Sequence, residues 1–413
     1  MEIEKLWEEV RELSLGTYSQ VERLESPPSP LRFLRDFVSP NKPCIISNAT
    51  LNWPALSSWT HPSYLSDALS SSTVSVHLTP NGRADALVPN PDDPSSPCFA
   101  SAHVQRMLFS AALNLISSSS ISDSCVAYAQ QQNDCFHSEY SALASDVDSH
   151  ISWATEALGY LPDAVNLWIG NHLSETSFHK DHYENLYAVI SGEKHFLLLP
   201  PTDVHRMYVR DYPAAHYSYS QDTGEFTLEL EKPLRYVPWC SVNPYPSSGD
   251  RDRELTSFSL YFNGPKPFEC TVKPGEVLYL PSMWFHHVRQ SPDDRGLAIA
   301  INYWYDMQFD IKYAYFNFLQ STHCPSSNFL LEPRTLKDSN ISKPTTSEDD
   351  AAKQDLSCRY LSATHHEIPP ATKIELDDAS EVADVKEYLG DYDYNVELVC
   401  KVICKATGHS EQI

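Results

Sequence analysis

The spacing of apolar residues predicts a helix at the start of the chain. Leu6, Trp7, Val10 and Leu13 recur at intervals of about three residues, which is typical of an amphipathic helix over Glu4–Leu15. Their side chains would share one face of this helix. We therefore expect the N-terminal segment, residues 1–30, to dock on the main body of the protein through that face.

Most of the following chain is predicted to be strand-rich. Short runs of β-branched and aromatic residues are separated by Pro, Gly and Asn, a pattern that favours a sandwich or barrel of antiparallel sheets over a parallel βαβ sheet. The predicted strands are Cys44–Ile46, Thr73–Leu78, Cys125–Gln130, Ala164–Gly170, Phe178–Ile190, Lys194–Leu199, Phe226–Leu230, Glu269–Thr271, Val277–Tyr279, Phe285–Arg289 and Leu297–Trp304. The predicted helices are Leu31–Phe37, Ser63–Ala68, Ala102–Leu115, Ser138–Glu156 and Phe309–Leu319.

The end of the chain differs in composition from the strand-rich part. Beyond Cys324 apolar clusters become sparse and acidic runs such as Glu348–Asp350 appear. This composition predicts one large domain over residues 31–325 and an acidic, largely disordered tail over 326–413. Within the tail, Ala379–Leu389 and Asn395–Cys404 could form a short helix and a strand.

Composition and charge narrow the class of protein. The 30 Lys and Arg residues against 55 Asp and Glu give a formal charge of −25, which disfavours direct binding of nucleic acid or an anionic membrane and favours a cationic partner. No apolar run approaches the roughly 18–20 residues of a membrane-spanning helix, and the N-terminus lacks a signal peptide. Ten cysteines without a Cys-x-x-Cys pair are typical of buried thiols in a reducing compartment. We therefore expect a cytoplasmic or nuclear protein.

Two segments contain the residues expected to perform chemistry. In the first, His179 and Asp181 would point to one face of a strand, because residues i and i+2 do. In the second, the strand after Pro281 would place His286 on one face and His287 on the other, so only one of them can enter the same site. Two histidines and one carboxylate leave positions open on Fe(II) for oxygen and an organic co-substrate. A single strand histidine is more often structural, but the joint spacing favours a metal site.

These segments resemble the metal site of the JmjC (cupin-type) family of Fe(II)- and 2-oxoglutarate-dependent oxygenases. The strings over 179–187 and 190–196, and Gly275–His286 with its Pro-x-x-Trp-x-His ending, match that family, most closely its lysyl hydroxylase branch. Asp36–Ile46 resembles the entry segment of the hydroxylases. The resemblance covers about residues 1–322, and it implies a mainly β fold with flanking helices around a double-stranded β-helix (jelly-roll) core.

The resemblance also implies roles for particular side chains. The iron ligands would be His179, Asp181 and His286, because the family uses the first histidine of the His-His pair. The residues that match contacts to 2-oxoglutarate or O2 are Lys194, Thr176, Tyr128, Asn185, Asn302 and Tyr187. Lys194 would bind the distal carboxylate of 2-oxoglutarate, with hydroxyl groups from Thr176 and Tyr128 beside it. The alternatives are an exposed strand lysine for Lys194 and a core position for Tyr187.

The implied reaction consumes 2-oxoglutarate and O2 and oxidises a C–H bond of a substrate. The lysyl hydroxylase branch implies a protein substrate with a basic, lysine-bearing segment, such as a GTPase. Demethylation of a lysine in a histone tail is the alternative, against which stands the absence of a PHD-like Cys/His array. Peptidase activity and a non-catalytic cupin binding module are less favoured, since no nucleophile arrangement is visible and every metal position is filled.

A further prediction concerns the oligomeric state. Phe309, Tyr313, Phe316 and Leu319 form an aromatic stripe, which could seat a helix on its own sheet or pair with a second subunit. Related hydroxylases dimerise through C-terminal helices, so the resemblance favours a homodimer.

Overall fold

The computed structural model describes residues 3–15, 20–61, 63–118 and 125–321. All of these residues belong to a compact unit within Met1–Ser362. The predicted tail, 326–413, and the two islands predicted inside it lie outside the described residues. Within the described ranges, no helix has the length and apolar character needed to cross a membrane.

Strands make up most of the described chain. In chain order they are β1 (Glu22–Leu24), β2 (Cys44–Ile46), β3 (Thr73–Thr79), β4 (Arg83–Ala84), β5 (Ala86–Pro89), β6 (Pro97–Ser101), β7 (His103–Leu108), β8 (Val126–Tyr128), β9 (Ala164–Gly170), β10 (Glu175–His179), β11 (Tyr183–Ser191), β12 (Glu193–Leu199), β13 (Arg210–Ser220), β14 (Glu225–Leu230), β15 (Tyr236–Trp239), β16 (Phe268–Val272), β17 (Val277–Leu280), β18 (Phe285–Ser291) and β19 (Ala298–Asp306).

Helices flank the strands at the start, in the middle and at the end of the described chain. The α-helices are α1 (Ile3–Leu15), α2 (Pro30–Phe33), α3 (Ala55–Ser58), α4 (Tyr64–Ala68), α5 (Phe109–Ser118), α6 (Cys135–Glu139), α7 (Ser152–Leu158), α8 (Arg251–Ser257), α9 (Ser259–Asn263) and α10 (Ile311–Ser321). A π-helical turn, Leu34–Val38, continues α2, and two 3₁₀ segments span Ser141–Asp146 and Pro201–Arg206.

Two sheets, whose strands pair mostly antiparallel, form the core. One has the strand order β1-β2-β17-β11-β19-β9 and the other β16-β12-β18-β10-β4. Alternate residues of both sheets, among them Tyr187, Phe196 and Ala300, belong to one buried cluster. The other faces pack elsewhere, the first sheet with the helices around Phe33 and Trp59. The predicted mainly β fold with flanking helices and a double-stranded β-helix core is confirmed.

Three predicted elements are wrong in extent. The predicted helix Ala102–Leu115 begins as strand β7, whose residues alternate between half-buried and exposed, and turns helical only at Phe109. The predicted helix Ser138–Glu156 is broken into α6, a 3₁₀ segment and α7. The predicted strand Phe178–Ile190 is two strands, β10 and β11, because the chain turns at Lys180–His182. This last break matters for the site.

A further sheet has the order β14-β13-β6-β5, with β15 paired to β13. Of these strands, only β14 was predicted. The strand β13 contains small and polar residues between its aromatic ones, so apolar content alone did not indicate it. Its partner β15 ends at Trp239, which lies next to the site described below.

The terminal helices rest on the core in different ways. In α1, the guanidinium of Arg11 pairs with Asp203 and lies 5.1 Å from the ring centroid of Phe268. Leu13 is 80% exposed, so it does not join the predicted apolar contact. In α10, Leu319 is buried among the residues behind the second sheet. Phe309, the first residue of the predicted stripe, precedes α10 and is 57% exposed, so only the part of the stripe at Phe316 and Leu319 seats α10 on its own body. Pairing with a second subunit stays a prediction.

Candidate metal and anion site

Two histidines and an aspartate converge at the end of β10. His179 is the last residue of β10 and pairs with His286 in the antiparallel strand β18. One ligand atom from each of His179, Asp181 and His286 lies within 4.8 Å of the others. Asp181 Oδ1 is 3.8 Å from His179 Nε2, and Asp181 Oδ2 is 3.6 Å from His286 Nε2. Imidazole and carboxylate donors at this spacing fit a divalent metal such as Fe(II), with positions left open for other ligands.

Strand alternation explains the two histidines but not the aspartate. Because β10 ends at His179, Asp181 lies in the loop that follows and not on the strand. The predicted meeting of these two side chains is therefore correct, and the reason given for it is wrong. On β18 the alternation holds, since His287 points to the opposite face and contacts Glu175 Oε1 at 3.1 Å through its Nε2.

A β-bulge brings a further residue to the same face. Thr176 pairs with Val288, and His179 pairs with His286. Three steps along β10 thus match two steps along β18, which is the signature of a bulge. Strict alternation would put Thr176 and His179 on opposite faces. The bulge aligns both with the inward-facing Val288 and His286.

The backbone orients both histidine rings. His179 Nδ1 donates to the carbonyl of Ser177 at 2.9 Å, and His286 Nδ1 donates to the carbonyl of Trp284 at 3.1 Å. A carbonyl can only accept, so in both rings the proton is on Nδ1 and the lone pair is on Nε2. Each Nε2 faces Asp181. This second-layer hydrogen bonding is how proteins hold histidine ligands ready for a metal.

Burial sets the charge of the cluster. Burial, together with the charges of His179 and His287, lowers the pKa of His286 well below its usual value. The hydrogen bond to the Trp284 carbonyl raises this pKa, but by less. Burial also raises the pKa of Asp181, while His179 lowers it. His286 is therefore neutral at physiological pH, so its Nε2 can ligate a metal. A cation between these groups would offset the cost of burying the carboxylate.

The turn before His286 is fixed by buried hydrogen bonds. Glu184 accepts from the hydroxyl of Tyr279 at 2.7 Å and from the hydroxyl of Ser282 at 2.9 Å. The Trp284 indole donates to Asn41 Oδ1 at 2.6 Å. These contacts tie the β17–β18 turn to β11 and to the segment before β2. The serine and tryptophan of this turn are therefore needed for its hydrogen bonds to Glu184 and Asn41.

The loop that contains Asp181 is held from both sides. The Asp181 carbonyl accepts a hydrogen bond from the backbone N–H of Met283 at 2.8 Å. The His182 carbonyl accepts one from the backbone N–H of Met307 at 3.1 Å. Lys180 reaches α10, where its Nζ donates to Gln320 Oε1 at 2.6 Å. The aspartate therefore keeps its position although it does not belong to a strand.

A buried lysine lies deeper between the sheets. Lys194 is fully buried, and its Nζ donates to the hydroxyl of Tyr128 at 3.2 Å and to Oε1 of Gln290. Within the described ranges it forms no ion pair with a carboxylate. Burial lowers the pKa of Lys194 to about 7. The alternative of an exposed strand lysine is wrong, and a buried ammonium whose partners are neutral oxygens is suited to bind an anion.

Hydroxyl and amide groups surround this ammonium. Thr176 hydrogen-bonds the Tyr128 hydroxyl. Gln290 donates from Nε2 to the Asn171 carbonyl at 2.9 Å, which turns its Oε1 toward Lys194. Gln290 was not predicted, although it lies four residues after His286 on the same face of β18. Alternation along that strand could have found it.

The remaining predicted residues line the space between the sheets. Asn302 Nδ2 donates to Asn185 Oδ1 at 3.1 Å, and the Trp168 indole donates to Asn302 Oδ1 at 2.8 Å. Tyr187 packs edge-on against Phe196 with ring centroids 5.3 Å apart. Tyr187 is thus part of the aromatic core, next to the polar pair. Trp168 was not predicted to contact these amides.

The site is open on the His179 side. The side chain of His179 is 17% exposed, against 8% for Asp181 and 6% for His286. The indole of Trp239 stacks parallel to the His179 ring, with centroids 6.0 Å apart and an angle of 4°. Trp239 was not predicted as a site residue, because β15 was not predicted. A large substrate would approach from this side, since Lys194 lies at the closed end.

Comparisons with known proteins identify relatives that this chain covers over most of their length. Residues 30–311 match a family described as a cupin-like domain. The chain is 63% identical over 327 residues to lysine-specific demethylase JMJ32 of Arabidopsis thaliana, covering 79% of this chain and 93% of that protein. It is 42% identical over 298 residues to the bifunctional peptidase and (3S)-lysyl hydroxylase JMJD7 of Homo sapiens, covering 72% and 88%. JmjC domain-containing protein E of Dictyostelium discoideum is 36% identical over 316 residues.

The two adjacent histidines provide a matched test of the metal site. We expect His286→Ala to weaken Mn(II) binding at least ~100-fold, because it removes a ligand, while His287→Ala binds Mn(II) within about threefold of wild type. Electron paramagnetic resonance of free Mn(II) measures both, and thermal unfolding shows that each variant is folded. Equal losses in the two variants, or a larger loss for His287→Ala, would contradict the assignment.

The buried lysine should destabilise the protein in the absence of an anion. Its pKa is about 7 when folded and returns to about 10.5 on unfolding, so the unfolded chain binds the extra proton between these pH values. The penalty is therefore full below pH 7 and disappears near pH 10.5. We expect Lys194→Met to be more stable than wild type by roughly 1–3 kcal/mol at pH 7, after the loss of its hydrogen bonds is counted.

Urea unfolding at pH 7 and pH 10 measures this effect. The gain at pH 7 should shrink or reverse at pH 10. Lys273→Met, at an exposed position, serves as the control and should change stability by less than ~0.5 kcal/mol at either pH. A Lys194→Met protein that is destabilised equally at both pH values would show that Lys194 is not an unpaired buried cation.

Proposed function

The chain belongs to the cupin-like family of JmjC-domain oxygenases, which depend on Fe(II) and 2-oxoglutarate, and from this membership we propose that it hydroxylates a lysine side chain of a protein substrate. Membership confirms the resemblance found in the sequence and the prediction of an oxidoreductase. One observation supports the proposal most strongly: the His179, Asp181 and His286 ligand atoms converge within 4.8 Å, beside the fully buried Lys194.

In this proposal the converging side chains hold Fe(II), and Lys194 binds the distal carboxylate of 2-oxoglutarate. The charge of that carboxylate would restore the pKa of Lys194 toward its ordinary value, since an opposite charge favours the protonated amine. The hydroxyl groups of Tyr128 and Thr176 can donate to the same carboxylate. The amides of Asn185 and Asn302 border the remaining space between the sheets.

The bound metal would activate O2, which oxidises 2-oxoglutarate to succinate and CO2 and leaves one oxygen atom for the substrate. In the substrate, one C–H bond is converted to C–OH. The chain's own residues bind 2-oxoglutarate, orient the histidine rings and exclude water from the closed end around Lys194. Positioning of the substrate carbon at the open side, next to His179, then determines which bond reacts.

Lysine as the target residue is supported by the two relatives. JMJD7 is named a (3S)-lysyl hydroxylase, and JMJ32 is named a lysine-specific demethylase. Demethylation is the second candidate, which the 63% identity to JMJ32 favours. The two reactions share every residue described so far. They differ in whether the oxidised carbon is a side-chain carbon or an N-methyl carbon, which leaves as formaldehyde after oxidation.

Mass spectrometry distinguishes the two candidates. The full-length protein with Fe(II), 2-oxoglutarate and O2 is incubated with lysine-bearing peptides from translation-associated GTPases and with methylated histone-tail peptides. We expect a GTPase peptide to gain the mass of one oxygen atom on lysine, and the gain to disappear in His179→Ala. Loss of methyl groups with formaldehyde release, and no oxidised lysine in any peptide, would contradict lysyl hydroxylation and favour the demethylase.

A further inference from the structure

A carboxylate with no assigned role lies beside the open side of the metal site. Asp85 stands between β4 and β5 and is half-buried, and its carboxylate forms no hydrogen bond or ion pair with the part of the chain that the structure describes. Its neighbours Ala84 and Ala86 are buried. A carboxylate at this depth is costly to ionise without an opposite charge nearby, and a cationic ligand would offset that cost.

Strand pairing places Asp85 next to the metal ligands. The short strand β4 runs parallel to β10, with Arg83 opposite Glu175 and Ala84 opposite Thr176. Asp85 is therefore aligned with Ser177, and its carbonyl accepts from the Ser177 hydroxyl at 2.5 Å. In the order of the sheet, Lys194 on β12 lies on one side of the metal ligands and Asp85 lies on the other.

The same serine links Asp85 to the open face of the site. The Ser177 hydroxyl also accepts from the Trp239 indole at 3.1 Å, and the Ser177 carbonyl accepts from His179 Nδ1. The Trp239 ring, stacked on His179, forms an aromatic wall there. The Trp239 ring also packs against Phe99, with centroids 4.7 Å apart, so it supplies an apolar wall, and the Asp85 carboxylate supplies the charge that an alkylammonium ion needs.

The charged groups around Asp85 leave its carboxylate available to a cation. Burial raises the pKa of Asp85, while His77 and His179 lower it. His77 is engaged with the amides of Gln130 and Gln131. The nearby Glu175 is already paired with Arg83 at 3.0 Å and with His287, which leaves Asp85 to receive an incoming cation.

We propose that the Asp85 carboxylate, with Trp239 as the adjoining wall, binds the ammonium group of the substrate lysine. This inference rests on the proposed function and makes Asp85 the residue that selects lysine over an uncharged side chain of the same length. The ammonium group offers three N–H donors, and each methyl group removes one of them. Asp85 therefore favours unmethylated lysine, the substrate of a hydroxylase, over trimethyl-lysine.

The backbone at Asp85 suggests a variant that removes only the charge. Its φ angle is 52°, in the left-handed region that asparagine also adopts readily. Asp85→Asn therefore retains the local conformation and the size of the side chain. Glu229→Gln removes the same charge from an exposed strand position away from this face and serves as the matched control.

Binding can be measured without turnover. Full-length protein loaded with Mn(II) and 2-oxoglutarate is titrated calorimetrically with three Gly/Ser-rich peptides that differ at one position, which is lysine, norleucine or Nε-trimethyl-lysine. We expect wild type and Glu229→Gln to bind the lysine peptide at least ~30-fold more tightly than the norleucine peptide. In Asp85→Asn this preference should fall below about threefold, with unchanged thermal unfolding.

Each result decides the inference. A lysine preference that survives in Asp85→Asn, or its absence from wild type, would overturn it, and so would equal binding of trimethyl-lysine and lysine by wild type. The outcome is separate from that of the proposed function. An Asp85-dependent lysine preference in a protein that oxidises no lysine peptide would retain this inference and reject hydroxylation, whereas oxidised lysine with no effect of Asp85→Asn would do the reverse.

Discussion

The pairing register between β10 and β18 determines where the rest of the site lies. It sets His179 opposite His286 and, through a bulge, Thr176 opposite Val288. A slip by one residue would turn these side chains to the other face of the sheet, because the side-chain period of a strand is two. The next strand, β12, continues the same ladder and brings Lys194 opposite Gln290 on β18. Hydrogen bonding within a single sheet therefore sets the two histidines and the buried lysine at a fixed separation.

The first sheet holds this register through buried polar contacts. Glu184 on β11 binds the hydroxyl of Ser282, and Asn41 binds the indole of Trp284, so the turn that leads into β18 cannot shift along its neighbours. Buried hydrogen bonds of this kind are costly to leave unmade, which makes the arrangement specific. Both Glu184 and Trp284 lie inside the strings that matched the family, where sequence alone assigned them no role. Their function is to position the ligands.

The site residues that lie in distinctive local sequence patterns could be predicted. Those whose position depends on pairing between strands far apart in the chain could not. The ligands and Lys194 were predicted because they occur in strings whose spacing is distinctive, and inward-facing residues followed from alternation along strands such as β18. The contribution of Asp181 from a loop, and the bulge after Thr176, could not be predicted, since both depend on how β10 ends against its partners. Asp85 and Trp239 were missed because β4 and β15 are short and gain their structure from neighbours far along the chain.

The distribution of charge within the site is more informative than the total. The formal charge of −25 favours a basic partner in general, but it does not say where that partner binds. In the functions proposed here, Lys194 at the closed end and Asp85 at the open side would do so locally. Burying either charge is costly, and a ligand of opposite sign would offset that cost. The two charges lie on opposite sides of His179 and His286 in the strand order, so under both proposals the anion would bind at the buried end between the sheets and the cation at the side where His179 is exposed.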